Sequence, residues 1–157
     1  MATATTEDTE IDIEERINIL KKLRETLLKQ KERFVTYLDV LEKEERSINE
    51  GDIDKLELQI HIEEEIVKEI TNFEKVISPL DDLYKRAYPV EEKSIPKLKN
   101  SLENIRKSVL KKNKRNRVLL KEKMDAVRHE IKSLKVKHDI PSPYADIGVP
   151  TLVDITT

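Results

Sequence analysis

Apolar residues return at every seventh position from Ile13 through Leu20, Leu27, Phe34 and Leu41 to Ile48. That period belongs to a helix, and no Pro or Gly interrupts the stretch from about Ile11 to Asn49. At 1.5 Å per residue such a helix spans roughly 55–60 Å. The companion seam reads Ile17, Arg24, Lys31, Leu38 and Glu45. One seam is fully apolar and the other half polar, whereas a two-stranded coiled coil prefers both apolar. The mixture predicts a helix packed on its partners through one strong stripe, flanked by Leu23, Leu28, Tyr37 and Val40.

Gly51 suits the position just past the helix end, where the chain enters the left-handed region. Asp52 or Asp54 can then cap a second helix, with Asp54 and Glu57 at capping-box spacing. Its predicted buried face is Leu56, Ile60, Val67, Ile70 and Ile77, with Ile66 and Phe73 beside them. The two helices form an antiparallel hairpin with a very short turn. Ser78-Pro79 predicts a break, and Pro79 opens a short segment to about Ala87. Tyr88-Pro89 ends that segment, and residues 88–94 are a linker. Ser94 caps a long basic helix, with Pro96 tolerated in its first turn. Leu98, Leu102, Ile105, Val109, Leu120, Met124, Val127, Ile131 and Leu134 carry its apolar face to about His138. Near Lys112–Asn116, polar residues hold core-like positions.

The two ends differ from this pattern. Residues 1–10 are small, polar and acidic, without the basic and apolar regions of a secretory signal, and read as disordered. Residues 139–157 hold three Pro, three Asp and no Lys or Arg, together with Ile140, Tyr144, Ile147, Val149, Leu152, Val153 and Ile155. Their prolines forbid a continuous helix, and their apolar content is high for a purely solvating tail. The expected fold is all-α. It is an antiparallel bundle of three principal helices over residues 11–138, a long hairpin plus a long C-terminal helix, with a disordered N-terminus and a flexible tail at 139–157.

Composition narrows the function. The 157 residues include 2 Gly and no Cys. Two glycines cannot build a dinucleotide- or P-loop-type phosphate cradle, and without cysteine there is no disulfide scaffold, thiolate nucleophile or Cys-based zinc site. No stretch approaches the apolar length of a membrane span, so a soluble protein that stays where it is made, without membrane insertion, is expected. The net charge of −2 hides a split: residues 1–92 carry 14 Lys+Arg against 25 Asp+Glu, and residues 93–157 carry 16 against 7. The segment from Arg106 to Lys123 alone holds nine Lys+Arg and one Glu. A nucleic-acid reader could use such a stripe to bind phosphates, but it has no aromatic residue for stacking bases. Pairing with the acidic hairpin is the preferred expectation, and nucleic acid is not an expected partner.

No catalytic set emerges. His61, His129 and His138 are far apart and lack metal-ligand spacing. They read as surface histidines, and the Glu63-Glu64-Glu65 run as a solvated face. No enzyme, cofactor or metal is expected. Asn113 and Asn116 lie mid-helix and share a face with Leu120. They are either two exposed asparagines or a polar layer that sets register in the bundle.

Three segments together resemble the FlgN family of flagellar export chaperones. They are the hairpin LEKEERSINEGDIDKLELQIHIEEEI (41–66), the motif N-x-x-N-x-x-L-L at Asn113, Asn116, Leu119 and Leu120, and PSPYADIG (141–148). The chain departs from the family at Arg117, where a Gly is frequent, and at Glu65, where a Lys is frequent. The resemblance implies a cytoplasmic, non-enzymatic chaperone of flagellar type III secretion. Such a protein binds the terminal helical segments of the hook-associated proteins FlgK and FlgL and delivers them to the export gate protein FlhA. It further implies that the end of the last helix and the tail bind the client, here Val127, Ile131, Leu134, Ile140, Ile147 and Leu152, and that Tyr144 contributes to gate docking. A homodimer is compatible with the pattern. A coiled-coil adaptor without a secretion role and a basic-helix nucleic-acid binder are the alternative readings.

Overall fold

The structure, a computed structural model, describes residues 12–90 and 92–137. Among these residues there are three helices and no strand: α1 (Ile13–Glu50), α2 (Ile53–Ala87) and α3 (Ser94–Lys137). The fold is the expected all-α arrangement of three long helices. The expectations for residues 1–10 and 139–157 lie outside the described residues.

Gly51 and Asp52 alone join α1 to α2. Gly51 adopts φ 69° and ψ 23°, a conformation that costs an L-residue roughly 1–2 kcal/mol and glycine almost nothing. Its N–H reaches the Ile48 carbonyl (3.2 Å), and the Asp52 N–H reaches the Ser47 carbonyl (3.0 Å). These two bonds satisfy the last carbonyls of α1. Asp52 then caps α2 by accepting the Lys55 N–H at 3.1 Å. The cap is therefore Asp52, and Asp54 lies inside the first turn.

On α1 the seventh-position stripe is buried at Leu27, Phe34, Leu41 and Ile48, but Ile13 at its start is exposed. The second buried seam is Leu23, Gln30, Tyr37 and Glu44, in place of the expected Ile17, Arg24, Lys31, Leu38 and Glu45. The reason is that α1 meets a neighbour on each flank. From this second seam, Gln30 Nε2 donates to Glu74 Oε2 of α2 at 3.1 Å, and Tyr37 donates to Glu63 of α2. From the other flank, Arg24 donates to Ser94 of α3 at 2.7 Å, and Glu45 receives Lys112 of α3. The partners on α2 descend along α1 while those on α3 ascend, so α2 runs antiparallel to α1 and α3 parallel to it.

The buried face of α2 runs through Ile66, Ile77, Leu80, Tyr84 and Ala87, with Ile70 and Phe73 packed against the core. Ile60 and Val67, expected inside, are exposed, and so are Ile53, Leu58 and Ile62. Apolar residues surround this half of the helix, so their positions do not locate its core face. The inward positions here include Gln59 and Glu63, which bond to Ser47 and Tyr37 of α1.

The expected break at Ser78-Pro79 does not occur: α2 continues through Pro79 to Ala87. Pro79 and Lys75, whose carbonyl loses its donor, both face solvent, so water can replace the missing bond. The following turns are held by burial of Leu80, Tyr84 and Ala87, and packing overrides the local penalty.

Tyr88 ends α2, its N–H bonded to the Tyr84 carbonyl at 2.8 Å. The Tyr84 hydroxyl accepts the Glu92 N–H at 2.6 Å, and the Tyr88 hydroxyl donates to the Arg16 carbonyl at 3.0 Å. Ser94, expected to cap α3, instead lies in its first turn and donates both its N–H and its hydroxyl to the Glu92 carboxylate. The Ser94 hydroxyl, aided by Arg24, holds Glu92 below the usual carboxylate range. Beyond it Ile95, Leu102, Val109 and Asn116 are buried at seven-residue intervals. Residues up to Lys121 form one compact unit, and α3 continues from Glu122 in a second.

Pro79→Ala restores an N–H donor inside α2. It should raise unfolding free energy by about 1–2 kcal/mol, since proline inside a helix costs about 3 kcal/mol relative to alanine and its restriction of the unfolded chain offsets part of that. Urea titration should show a higher midpoint at unchanged slope.

Candidate functional site: a buried polar layer and a bare apolar stripe

Tyr37, Glu44, Glu63, Asn113 and Asn116 meet in one layer of the bundle, contributed by all three helices. The Tyr37 hydroxyl donates to Glu63 Oε1 at 2.6 Å and accepts Asn113 Nδ2 at 3.2 Å. Asn116 Nδ2 donates to the Leu41 carbonyl at 2.7 Å. Asn116 is 4% exposed and Glu44 5%, with Glu44 Oε1 and Asn116 Oδ1 buried and unpaired. An unpaired buried polar atom costs about 1–3 kcal/mol. A proton on Glu44 lowers that cost, because a neutral carboxyl can donate.

The electrostatics favour that proton. Burial pushes the Glu44 carboxyl up to about 8, the neighbouring Glu63 adds to the rise, and the Asn116 amide opposes it. Burial also raises Tyr37 above the ordinary phenol range, reinforced by Glu63 and Glu44 and opposed by Arg117. At the centre of the layer, burial and the neighbouring Glu63 thus favour the neutral form of Glu44.

Of the motif residues, Asn116 is buried and Asn113, Leu119 and Leu120 are half-buried. The asparagines form the polar layer of the two readings considered, not a pair of exposed amides. Glu63, read as solvated, is half-buried in the layer, while Glu64 and Glu65 are exposed as expected. Tyr37 is buried as expected of a residue flanking the stripe, but its polar role, like those of Glu44 and Glu63, is not predicted by the sequence pattern. Their signal was the polar content of the seam Gln30–Tyr37–Glu44, visible once that seam is chosen.

Val127, Ile131 and Leu134 present a different surface. They are 55%, 40% and 55% exposed, and Met124 is 41% exposed. Their spacing puts all four on one face of α3. Ile140, Tyr144, Ile147 and Leu152 lie outside the described residues.

The basic segment pairs with the acidic hairpin at one point. Lys112 meets Glu45, Arg106 pairs within its own helix with Glu103, and the other seven cations make no ion pair among the described residues. Helical periodicity turns most of a charge run to solvent, and Lys112 is the position in the seam. The described residues hold no cluster of His, Cys, Asp and Glu suited to a metal ion, and no helix among them is long and apolar enough to cross a membrane. His61 and His129 are exposed.

The chain is similar to an uncharacterized protein of Treponema pallidum (strain Nichols), 26% identical over 106 residues that cover 67% of this chain and 68% of that protein. No family model matches the chain, and no solved structure matches it.

Because Glu44 rises from 4.5 to about 8 on folding, the folded state binds more protons between those values. Stability should therefore fall as pH rises through this window, by at most about 1.4 kcal/mol per unit, and level off above it. Glu44→Gln, which keeps the shape and stays neutral, should flatten the slope. Urea titrations of both proteins at pH 5 and pH 9 measure this; parallel curves would exclude Glu44 as the source.

Proposed function

We propose that this chain is a non-enzymatic, cytoplasmic export chaperone of the FlgN kind, which holds the terminal helical segments of FlgK and FlgL and delivers them to FlhA. The observation that carries the reading is the exposed row Val127, Ile131 and Leu134. Single exposed apolar residues are ordinary, but a row at helical spacing marks a surface meant to be covered. An amphipathic client helix covers such a row by laying its own apolar face along it. Ile140, Ile147 and Leu152 extend the apolar supply for the client, and Tyr144 offers the gate a rigid ring with a polar tip. The resemblance of the hairpin, the asparagine motif and PSPYADIG supports the same reading.

Val127→Asp with Ile131→Asp should leave the circular dichroism spectrum unchanged, because both side chains face solvent. The pair should weaken binding of a FlgK or FlgL C-terminal segment at least tenfold by titration calorimetry, since each places a charge against apolar surface. Tyr144→Ala should weaken capture by FlhA and spare the client. Equal loss of both would indicate damage to the fold instead.

A second reading, a binder of nucleic acid, draws on the seven basic-segment cations that make no ion pair among the described residues. Their row Lys107, Lys111, Lys114 and Lys121 lies opposite the buried Val109 and Asn116 by helical spacing. Titration with single-stranded and duplex oligonucleotides at 50 and 200 mM salt decides it. Affinity that drops steeply with salt would favour this reading, and absence of binding at the lower salt would remove it.

A further inference from the structure

We infer that, when no client is bound, residues 139–157 of the same chain lie along the Met124–Val127–Ile131–Leu134 face and cover it. The contact stands on its own; its role in regulating client entry rests on the chaperone reading.

The stripe needs an occupant, and three facts select this one. The first is charge. Residues 122–137 carry five Lys+Arg against three Asp+Glu, whereas 139–157 carry Asp139, Asp146 and Asp154 and no Lys or Arg. By helical spacing Lys123, Arg128 and Lys135 border the apolar face, with Glu130 the only bordering acid. A segment that is apolar and acidic matches a face that is apolar and basic-edged. The second is length. The stripe covers ten residues of rise, about 15 Å, and nineteen residues beginning two positions past Lys137 can extend about 60 Å. That is enough to turn back through Pro141 and Pro143 and set Tyr144, Ile147 and Leu152 against the helix. The third is area. A stable dimer buries roughly 1,200–2,000 Å², more than four partly exposed side chains supply. A tethered segment needs less, because its effective concentration is on the order of millimolar.

A client then takes the place of residues 139–157 on the helix, and Ile140, Ile147 and Leu152 become free to pack on the outer side of the client. Covering the stripe also keeps an adhesive face from other proteins until a helix of higher affinity arrives.

The absence of cysteine makes the test direct. A single nitroxide label at Ser133→Cys, an exposed site beside Leu134, broadens amide signals that come near it. In the full chain, the signals of residues 144–152 should lose more than half their intensity. The loss should be the same after tenfold dilution and should vanish in Ile131→Asp with Leu134→Asp, whose helicity is checked by circular dichroism. A FlgK segment added in excess should restore the signals. Unbroadened signals would overturn the contact. So would broadening that appears only between labelled and unlabelled molecules, which assigns the stripe to a second copy, or broadening that survives the double substitution. If the contact is present and no FlgK or FlgL segment displaces it, the chaperone reading fails and the intramolecular contact remains.

Discussion

α1 must serve two neighbours from one stripe, and the rest of the bundle follows from that constraint. Leu27, Phe34, Leu41 and Ile48 form its buried centre. The seam through Gln30, Tyr37 and Glu44 turns to α2, while Arg24 and Glu45 on the opposite flank turn to α3. A helix in this position cannot keep two clean apolar seams, because each flank must also carry the residues that specify its partner and register. Polar residues at Gln30, Tyr37, Glu44 and Ser47 are the result. Apolar burial at about 25 cal/mol per Å² supplies the drive to associate, and the polar residues decide which side of α1 meets which helix.

The polar layer shows how that specificity is held. Tyr37 is its pivot, since one hydroxyl donates to α2 and accepts from α3. On α3, Asn116 occupies the place where the series Ile95, Leu102 and Val109 would continue with another apolar residue. A buried amide in such a series lowers stability and in return fixes alignment, because a shifted helix would strand it without partners. Here the amide finds the Leu41 carbonyl, and burial favours the uncharged form of Glu44 beside it.

The helices themselves were legible in the sequence. The seven-residue series of α1, Gly51 at the turn and Tyr88-Pro89 at the end of α2 each carry a local signal that does not depend on tertiary packing. The inward face of α2 was not legible, because Ile53, Leu58, Ile60, Ile62 and Val67 surround the helix and its true seam includes Gln59 and Glu63. Pro79 misled for a related reason: its penalty is local, while the burial of Leu80, Tyr84 and Ala87 that outweighs it is not. At the site, Asn113 and Asn116 could be named from their spacing. Their partners Tyr37 and Glu44 could not, because α1 and α3 meet only in the folded chain.

The two-residue turn at Gly51 and Asp52 also orders events in time. Bonds between α1 and α2 link residues as few as 12 positions apart, as between Ser47 and Gln59, whereas Asn113 and Asn116 reach α1 across 76 and 75 positions. Closing a longer loop costs more entropy, and native contacts that are local in sequence form sooner. Sequence separation therefore favours closure of the hairpin outward from Gly51 ahead of the docking of α3. During synthesis this order coincides with emergence from the ribosome: the acidic hairpin is complete before the last basic turns of α3 exist, so of these three helices the one that bears the exposed stripe is made after its two partners.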